Sequence, residues 1–243
     1  MTSTSSELPR VLEPEVMDSV DEAIAYDQMD HSTVNQLFAK DFLATGYATE
    51  TDATAGEGLN EGDMEGLAGE CLDLGTGTAQ IPIEICRQSP TARVLAVDLS
   101  ISMLDLARNN IEVAGLMHRI QLDHIDAKGI GYENERFAAV ISNSIVHHIP
   151  EPSSVFAEAA RLAAPGGVLF FRDLARPKTE ELLEQLVATY AGEEPTESQK
   201  LFRESLHAAL TADEVQAIIT ELGFSAESVK MTSDRHWTWS ARK

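Results

Sequence analysis

Cysteine is scarce in this sequence: two residues in 243, Cys71 and Cys86. Neither stands at metal-ligand spacing from a histidine or from the other, so no thiolate metal centre or disulfide framework is expected. Cys71 falls in an expected buried strand and Cys86 in the helix behind it, where thiols serve as small apolar residues. This usage suits a reducing compartment, and the expected location is the cytoplasm. Basic residues are also few, 18 Lys and Arg against 40 Asp and Glu, for a formal net charge of −22. Phosphate backbones are bound by clustered Lys and Arg, and no cluster is present. Nucleic acid and anionic membrane surfaces are therefore not expected partners. The negative field favours cationic ligands, although most of these acids serve solubility. The opening segment, Met1 to Pro9, is Ser/Thr-rich and has no apolar stretch. Neither a signal peptide nor a membrane span is expected there, and residues 1–10 read as a disordered tail. No internal repeat is found.

What is present is enough apolar content, 43%, for one α/β domain with a cap. Residues 11–45 read as two helices, with Pro14 at an early helical position and apolar faces at Val16, Val20 and Ile24, then Val34, Leu37, Phe38 and Phe42. Residues 46–68 are rich in Gly, Thr, Ala and acids and read as a flexible linker. From 69 the pattern alternates strand and helix. Strands are expected at Glu70–Leu74, Arg93–Asp98, Ile120–His124, Ala138–Asn143 and Val168–Asp173, with Ser100 capping one intervening helix. Such alternation implies a parallel sheet covered on both faces. A helical insertion is expected at about 177–210. Thr211-Ala212-Asp213-Glu214 is a capping box that opens a helix ending near Gly223. Two terminal strands follow, about Phe224–Met231 and His236–Ala241.

The chemistry concentrates at Cys71-Leu72-Asp73-Leu74-Gly75-Thr76-Gly77-Thr78-Ala79 and at Val94-Leu95-Ala96-Val97-Asp98. Each is an apolar strand with an acid at or near its tip, and the first breaks into a glycine turn followed by a helix from Ala79 to about Gln88. Glycines let the backbone approach a ligand, the helix N-terminus offers N–H groups, and Asp98 can accept from ribose hydroxyls. This is a nucleotide site. A P-loop's Gly-Lys-Ser/Thr is missing, and Gln80 stands where a dinucleotide fold needs its third glycine.

The remaining pattern, Asp73-x-Gly75-x-Gly77-x-Ala79, resembles the S-adenosylmethionine (SAM) site of class I methyltransferases. Ala79 replaces the usual third glycine. The resemblance implies a Rossmann-like, seven-stranded, mostly parallel sheet, its last strand antiparallel between the fifth and sixth, with the N-terminal helices as a lid. It implies SAM as cofactor. Asp73 would hold the methionine amino group, with Gly75, Thr76 and Gly77 forming the turn. Asp98 and Leu99 would lie at the ribose, Asp126 and Ala127 at adenine, and Asn143 and Ser144 beside the methionine part. Asp126 could equally be a helix cap.

A histidine pair, His147-His148, follows the fourth strand. One ring could act as general base, or both could simply pack. Adjacent residues point different ways, so at most one should face a substrate, and His147 is preferred as nearer the strand end. Arg172-Asp173 at the next strand end could orient a substrate or hold a loop as an ion pair. Tyr26-Asp27-Gln28-Met29-Asp30 is similar to the segment that folds over the cofactor in quinone-biosynthesis C-methyltransferases of the UbiE type. Asp30 stands where that group has Asn, and the sequence after Asn143 departs from its pattern, so no quinone substrate is implied. Asp27, Asp30 and His31 read as solvated acids at a helix boundary, and no metal is expected. Trp237 and Trp239 share a strand face and are expected to pack in the core. His207 and His236 are weak substrate-side candidates.

The function expected is methyl transfer from SAM to a small molecule, at an O, N or C nucleophile. The alternatives are a SAM-fold enzyme with non-methylation chemistry and a SAM-binding regulatory protein. The oligomeric state is left open.

Overall fold

The computed structural model describes residues 8–13, 19–29, 31–46 and 70–243. Seven strands form one sheet: β1 (Cys71–Leu74), β2 (Val94–Asp98), β3 (Ile120–His124), β4 (Phe137–Asn143), β5 (Ala163–Leu174), β6 (Val229–Met231) and β7 (His236–Arg242). Their order is β3-β2-β1-β4-β5-β7-β6. β1 to β5 run parallel, and β7 is antiparallel to both β5 and β6. The helices are α1 (Val20–Asp27), α2 (Ser32–Leu43), α3 (Gln80–Gln88), α4 (Ile101–Val113), α5 (Ser153–Leu162), α6 (Glu180–Tyr190), α7 (Thr196–Ala208) and α8 (Ala212–Glu221). From the central strand β1 the chain winds outward to β2 and β3, then returns to β4 on the other side. The crevice where that order reverses, beyond the strands' carboxyl ends, is where open α/β sheets bind ligands.

The strands are apolar on both faces because both faces are covered. Neighbouring residues on β5 show the split. Phe170 packs edge-on against Phe38 of α2, with ring centroids 5.1 Å apart. Phe171 turns to the opposite face, where it stacks with Phe156 of α5 and meets Trp239 of β7, each at 5.4 Å. Trp237 and Trp239 are fully buried in that second layer.

Several boundaries differ from those expected, each for a local reason. The helix start expected near Pro14 falls outside the described residues. Residues 11–13 are non-helical, and α1 opens at Ser19 with a capping box to Glu22. β6 does not reach back to Phe224, because Ser225 accepts from the Glu227 N–H and the chain makes a 3-10 turn at Ala226–Ser228. The tail expected over 1–10 is fixed at its end: the Leu8 N–H donates to the Lys178 carbonyl at 3.1 Å, and Arg10 Nε to that of Ala208 at 2.7 Å. Residues 1–7, and the linker expected at 46–68 beyond Gly46, lie outside the described residues.

The two N-terminal helices do different jobs. α2 is part of the core, with Phe38, Ala39 and Phe42 buried against the sheet. α1 lies over the crevice, as a lid would, and α2 adds Asn35 to the edge of its smaller part.

Candidate active site

At the end of β1 the backbone turns through Gly75 (φ +68°) and Gly77 (φ +55°), conformations that glycine adopts without strain. The N–H groups of Gly75 and Thr76 both donate to the Val97 carbonyl at 2.9 Å, which ties the turn to β2. Gly75 is required twice over, since a Cβ there would lie 2.1 Å from Ile145 Cγ2. Ala79 is also left-handed, at φ +62°. An L side chain costs about 1–2 kcal/mol there, so the glycine of the family pattern was the natural residue.

Asp98 at the tip of β2 accepts the Gly77 N–H and the Ser100 N–H, each at 2.8 Å. Burial raises its pKa, and these N–H groups oppose the rise. Asp73 is different. It is buried within β1, its Oδ2 has no hydrogen-bond partner, and burial with Asp98 nearby pushes it up to about 7. The Thr76 side chain opposes that rise, and the Thr78 hydroxyl in the same part of the groove is buried without a partner.

The crevice is a groove of two joined parts. The larger is walled by Tyr26, Gly75, Gly77, Asp98, Leu99, Ser100, Met103, Ile125, Asp126, Ala127, Asn143, Ser144, Ile145, His148 and Ile149. The smaller runs past Asp73, Thr76, Thr78 and Gln80 and shares Tyr26, Gly75 and Asn143 with it. All the residues that the sequence suggests for a cofactor thus line one groove. Asp126 is followed by β4 and not by a helix, so it is not a helix cap; it closes a turn, accepting the Lys128 N–H at 2.9 Å and pairing with Lys128 Nζ at 3.1 Å. Ser144 sits at φ +59°, left-handed at the exit of β4, and donates its N–H to the Arg172 carbonyl.

The groove fits SAM on its own chemistry. An unpaired buried carboxyl at one end calls for a cationic group such as an ammonium. An acid at the second strand tip calls for hydroxyl donors. The apolar residues Leu99, Met103 and Ile125, beyond the ends of β2 and β3, suit a flat ring.

Tyr26 of α1 covers the turn, its Cε1 lying 3.8 Å from where a Gly77 Cβ would be. Burial among Asp98, Asp173, Asp27 and Asp73 pushes its hydroxyl up to about 12. A polar clasp fixes the helix. Asp27 Oδ1 accepts from Gln80 Nε2 at 3.2 Å and from Asn110 Nδ2 at 2.8 Å, and Asn35 Nδ2 donates to Gln80 Oε1 at 3.0 Å. Gln80, in sequence only the side chain that displaces a glycine, links α1, α2 and α3, and Asp27 carries the clasp on to Asn110 of α4. Asp27 is occupied by amides, and Asp30 lies outside the described residues.

The histidine preference is reversed. His147 is buried, its Nδ1 lying 2.6 Å from Asp173 Oδ1. His148 reaches the groove wall. The 3-10 turn at Val146–His148 causes this, because Asp173 Oδ2 accepts the N–H groups of Val146 and His147 at 2.6 and 3.2 Å and pulls that ring inward. Burial alone would lower the His147 pKa, but Asp173 and then Glu13 outweigh it and the net shift is upward. Burial would raise Asp173, but His147 and the N–H donors hold it below the usual carboxylate range. Arg172 does not pair with Asp173. It turns to the other face, to Asp41 at 2.7 Å and Thr238 at 2.9 Å. His236 bonds Ser233, and His207 faces Glu180 at 3.6 Å.

Sequence reasoning missed Glu13, which sits against both histidines, and Arg10, which anchors it. Both lie far from the strand tips in sequence, and no local motif marks them. The apolar wall residues Met103, Ile125, Ile145 and Ile149 also carry no polar signature.

Comparison with known proteins agrees with this geometry. Residues 71–167 match the family described as Methyltransferase domain. A phosphatidylethanolamine N-methyltransferase of Cereibacter sphaeroides is 32% identical over 45% of this chain and 53% of its own length. A ubiquinone/menaquinone biosynthesis C-methyltransferase UbiE of Desulfotalea psychrophila is 32% identical over 45% of this chain and 43% of its own. A 27-O-demethylrifamycin SV methyltransferase of Amycolatopsis mediterranei is 27% identical over 71% and 61%. The chain spans about half the length of the curated relatives it matches. Among solved structures, the plantazolicin methyltransferase BpumL with S-adenosylhomocysteine (SAH) aligns at TM-score 0.65 and 15% identity, over 91% of this chain and 88% of that one. A SAM-dependent methyltransferase of Aquifex aeolicus aligns at TM-score 0.59 and 13% identity, over 92% and 98%. The sheet order, the glycine turn, the acids at the strand tips and the match over residues 71–167 make this chain similar to the class I SAM-dependent methyltransferases.

Proposed function

We propose that this protein transfers the methyl group of SAM to a small-molecule acceptor. The observation that carries this is the buried, unpaired carboxyl of Asp73 beside the Gly75–Gly77 turn, opposite Asp98. Asp73 holds the methionine ammonium, with Thr76, Asn143 and Ser144 alongside. Asp98 holds the ribose hydroxyls, Leu99 packs on the ring system, and Asp126 with the Ala127 N–H meets adenine. When bound, SAM supplies a sulfonium methyl group that is already electrophilic. The protein's own part is to hold a nucleophile in line with that methyl and to keep water away. Tyr26 and α1 exclude water from above. The His147–His148 pair stands at the acceptor side, with His148 on the groove wall and Asp173 fixing His147 behind it.

A net charge of −22 argues against a nucleic-acid acceptor. No helix among the described residues is long and apolar enough to cross a membrane. The free thiols of Cys71 and Cys86 suit the cytoplasm. The relatives' names cover N-methylation, C-methylation and a 27-O-demethyl acceptor, and the groove favours none of the three.

The test is incubation with methyl-labelled SAM and a metabolite extract. SAH and a labelled small molecule are expected together. Cleavage of SAM without SAH would move the chain to another chemistry, and binding without turnover would make it a regulatory protein.

A further inference from the structure

The N-terminal strap reaches the histidine pair by a built route. Arg10 donates to the carbonyls of His147, Ile149, Pro150 and Ala208, at 3.3, 2.9, 3.2 and 2.7 Å. The Val11 N–H donates to the His207 carbonyl at 3.1 Å. Three residues from Arg10, Glu13 is thereby delivered against the rings, with its side chain only 9% exposed. Ser205 donates to Glu13 Oε2 at 3.3 Å, which leaves Oε1 turned to the imidazoles.

Glu13 Oε1 lies 3.2 Å from His148 Nδ1 and 3.5 Å from His147 Nε2, yet no hydrogen bond to it has proper geometry. The donor atoms of Glu13, His147 and His148 all fall within 4.8 Å of one another. Three N and O ligands about 2.0–2.1 Å from a common centre, at tetrahedral angles, stand about 3.3 Å apart. The two printed separations bracket that edge length. The far nitrogen of His147 is fixed by Asp173 at 2.6 Å, the carboxylate backing that sets the tautomer and ring orientation of metal-ligating histidines. We propose that Glu13, His147 and His148 hold one divalent transition-metal ion of the zinc class, beside the SAM groove. Two imidazoles and a carboxylate suit such borderline ions. Three protein ligands leave a fourth position open, as in zinc sites that act on a substrate. His148 also walls the groove, so the open position would take a lone pair of the acceptor, a role that rests on the methyltransferase function proposed above.

The probe is Co²⁺, added alone to the chelator-treated full chain. One ion per chain is expected, with the visible absorption of a low-coordinate site. Glu13→Gln should weaken it at least tenfold. Asp173→Asn, which touches no metal, should weaken it about 10–100-fold. Circular dichroism and SAH calorimetry on the same samples confirm the fold and read the cofactor site separately. A chain that binds SAH but takes up no Co²⁺ overturns the metal site and leaves the methyltransferase reading standing. Uptake that is unchanged in folded Glu13→Gln overturns it as well. Uptake that depends on Glu13 in a chain that binds no SAH supports the metal site and sinks the methyltransferase reading.

Discussion

Asp73 makes cofactor affinity a function of pH. Its carboxyl is pushed up to about 7 by burial, with Asp98 adding to the shift. An ammonium ligand needs the ionised form. At pH 6 about one Asp73 in eleven is ionised in the free protein, so binding must first remove a proton. Affinity for SAH should therefore fall about tenfold for each unit below pH 7, or about 1.4 kcal/mol per unit. Between pH 7 and 8 this contribution should change little. The free protein should show the opposite trend. A carboxyl whose folded pKa lies above its unfolded value binds more protons when folded, so stability is full at low pH and is lost as pH rises. The window runs from the ordinary value of 3.8 to about 7, and its size is on the order of 4 kcal/mol. Asp73→Asn should flatten both trends and weaken SAH by about 1.5–3 kcal/mol at pH 8, the scale of a lost charge-assisted hydrogen bond. Calorimetry with SAH at pH 5.5 to 8.5 and denaturant melts of the free protein over pH 4 to 7.5 give the two curves. A wild-type affinity that is flat across pH 6 to 8 would refute the reasoning. So would a slope that survives in Asp73→Asn.

Three further outcomes are expected. Asp98→Ala should weaken SAH binding by about 1–3 kcal/mol in a folded protein, because it also frees the Gly77 N–H from its partner; an unchanged dissociation constant counts against the ribose role. Asp27→Ala removes the acceptor of two clasp hydrogen bonds, from Gln80 and Asn110; SAH should dissociate several-fold faster in stopped flow while the melting midpoint hardly moves, and identical dissociation rates would show that α1 is no lid. Phe42→Ala should cost about 3–5 kcal/mol in denaturant melts, because that side chain is fully buried against the sheet; a cost under about 1 kcal/mol would return α2 to the lid.

The strands and the cofactor groove were legible because their signals are local, whereas the strand order came from the family resemblance. Asp73, Gly75 and Gly77 sit within one turn, and Asp98 ends the next apolar run. Each residue is readable from its position on a strand tip. The capping boxes at Ser19 and Thr211 mark helix starts by the same local chemistry. The histidine pair was visible but could not be oriented. Which ring turns inward depends on Asp173, which lies 26 positions from His147 in sequence. Glu13 was invisible for a similar reason, since only the Arg10 contacts bring it to the rings. α2 was read as lid because its faces alone do not say what covers them. The partner that makes Phe38 a core residue, Phe170, comes from β5, far along the sequence.

The measurement that bears most directly on the central claim is titration of the full chain with SAM, SAH and NAD at pH 8, in wild type and in Asp98→Ala. Saturable binding of SAM and SAH at one site per chain is expected, weakened by the substitution, with no heat from NAD. Tighter binding of NAD than of SAM, or SAM binding that is indifferent to Asp98, would contradict the account.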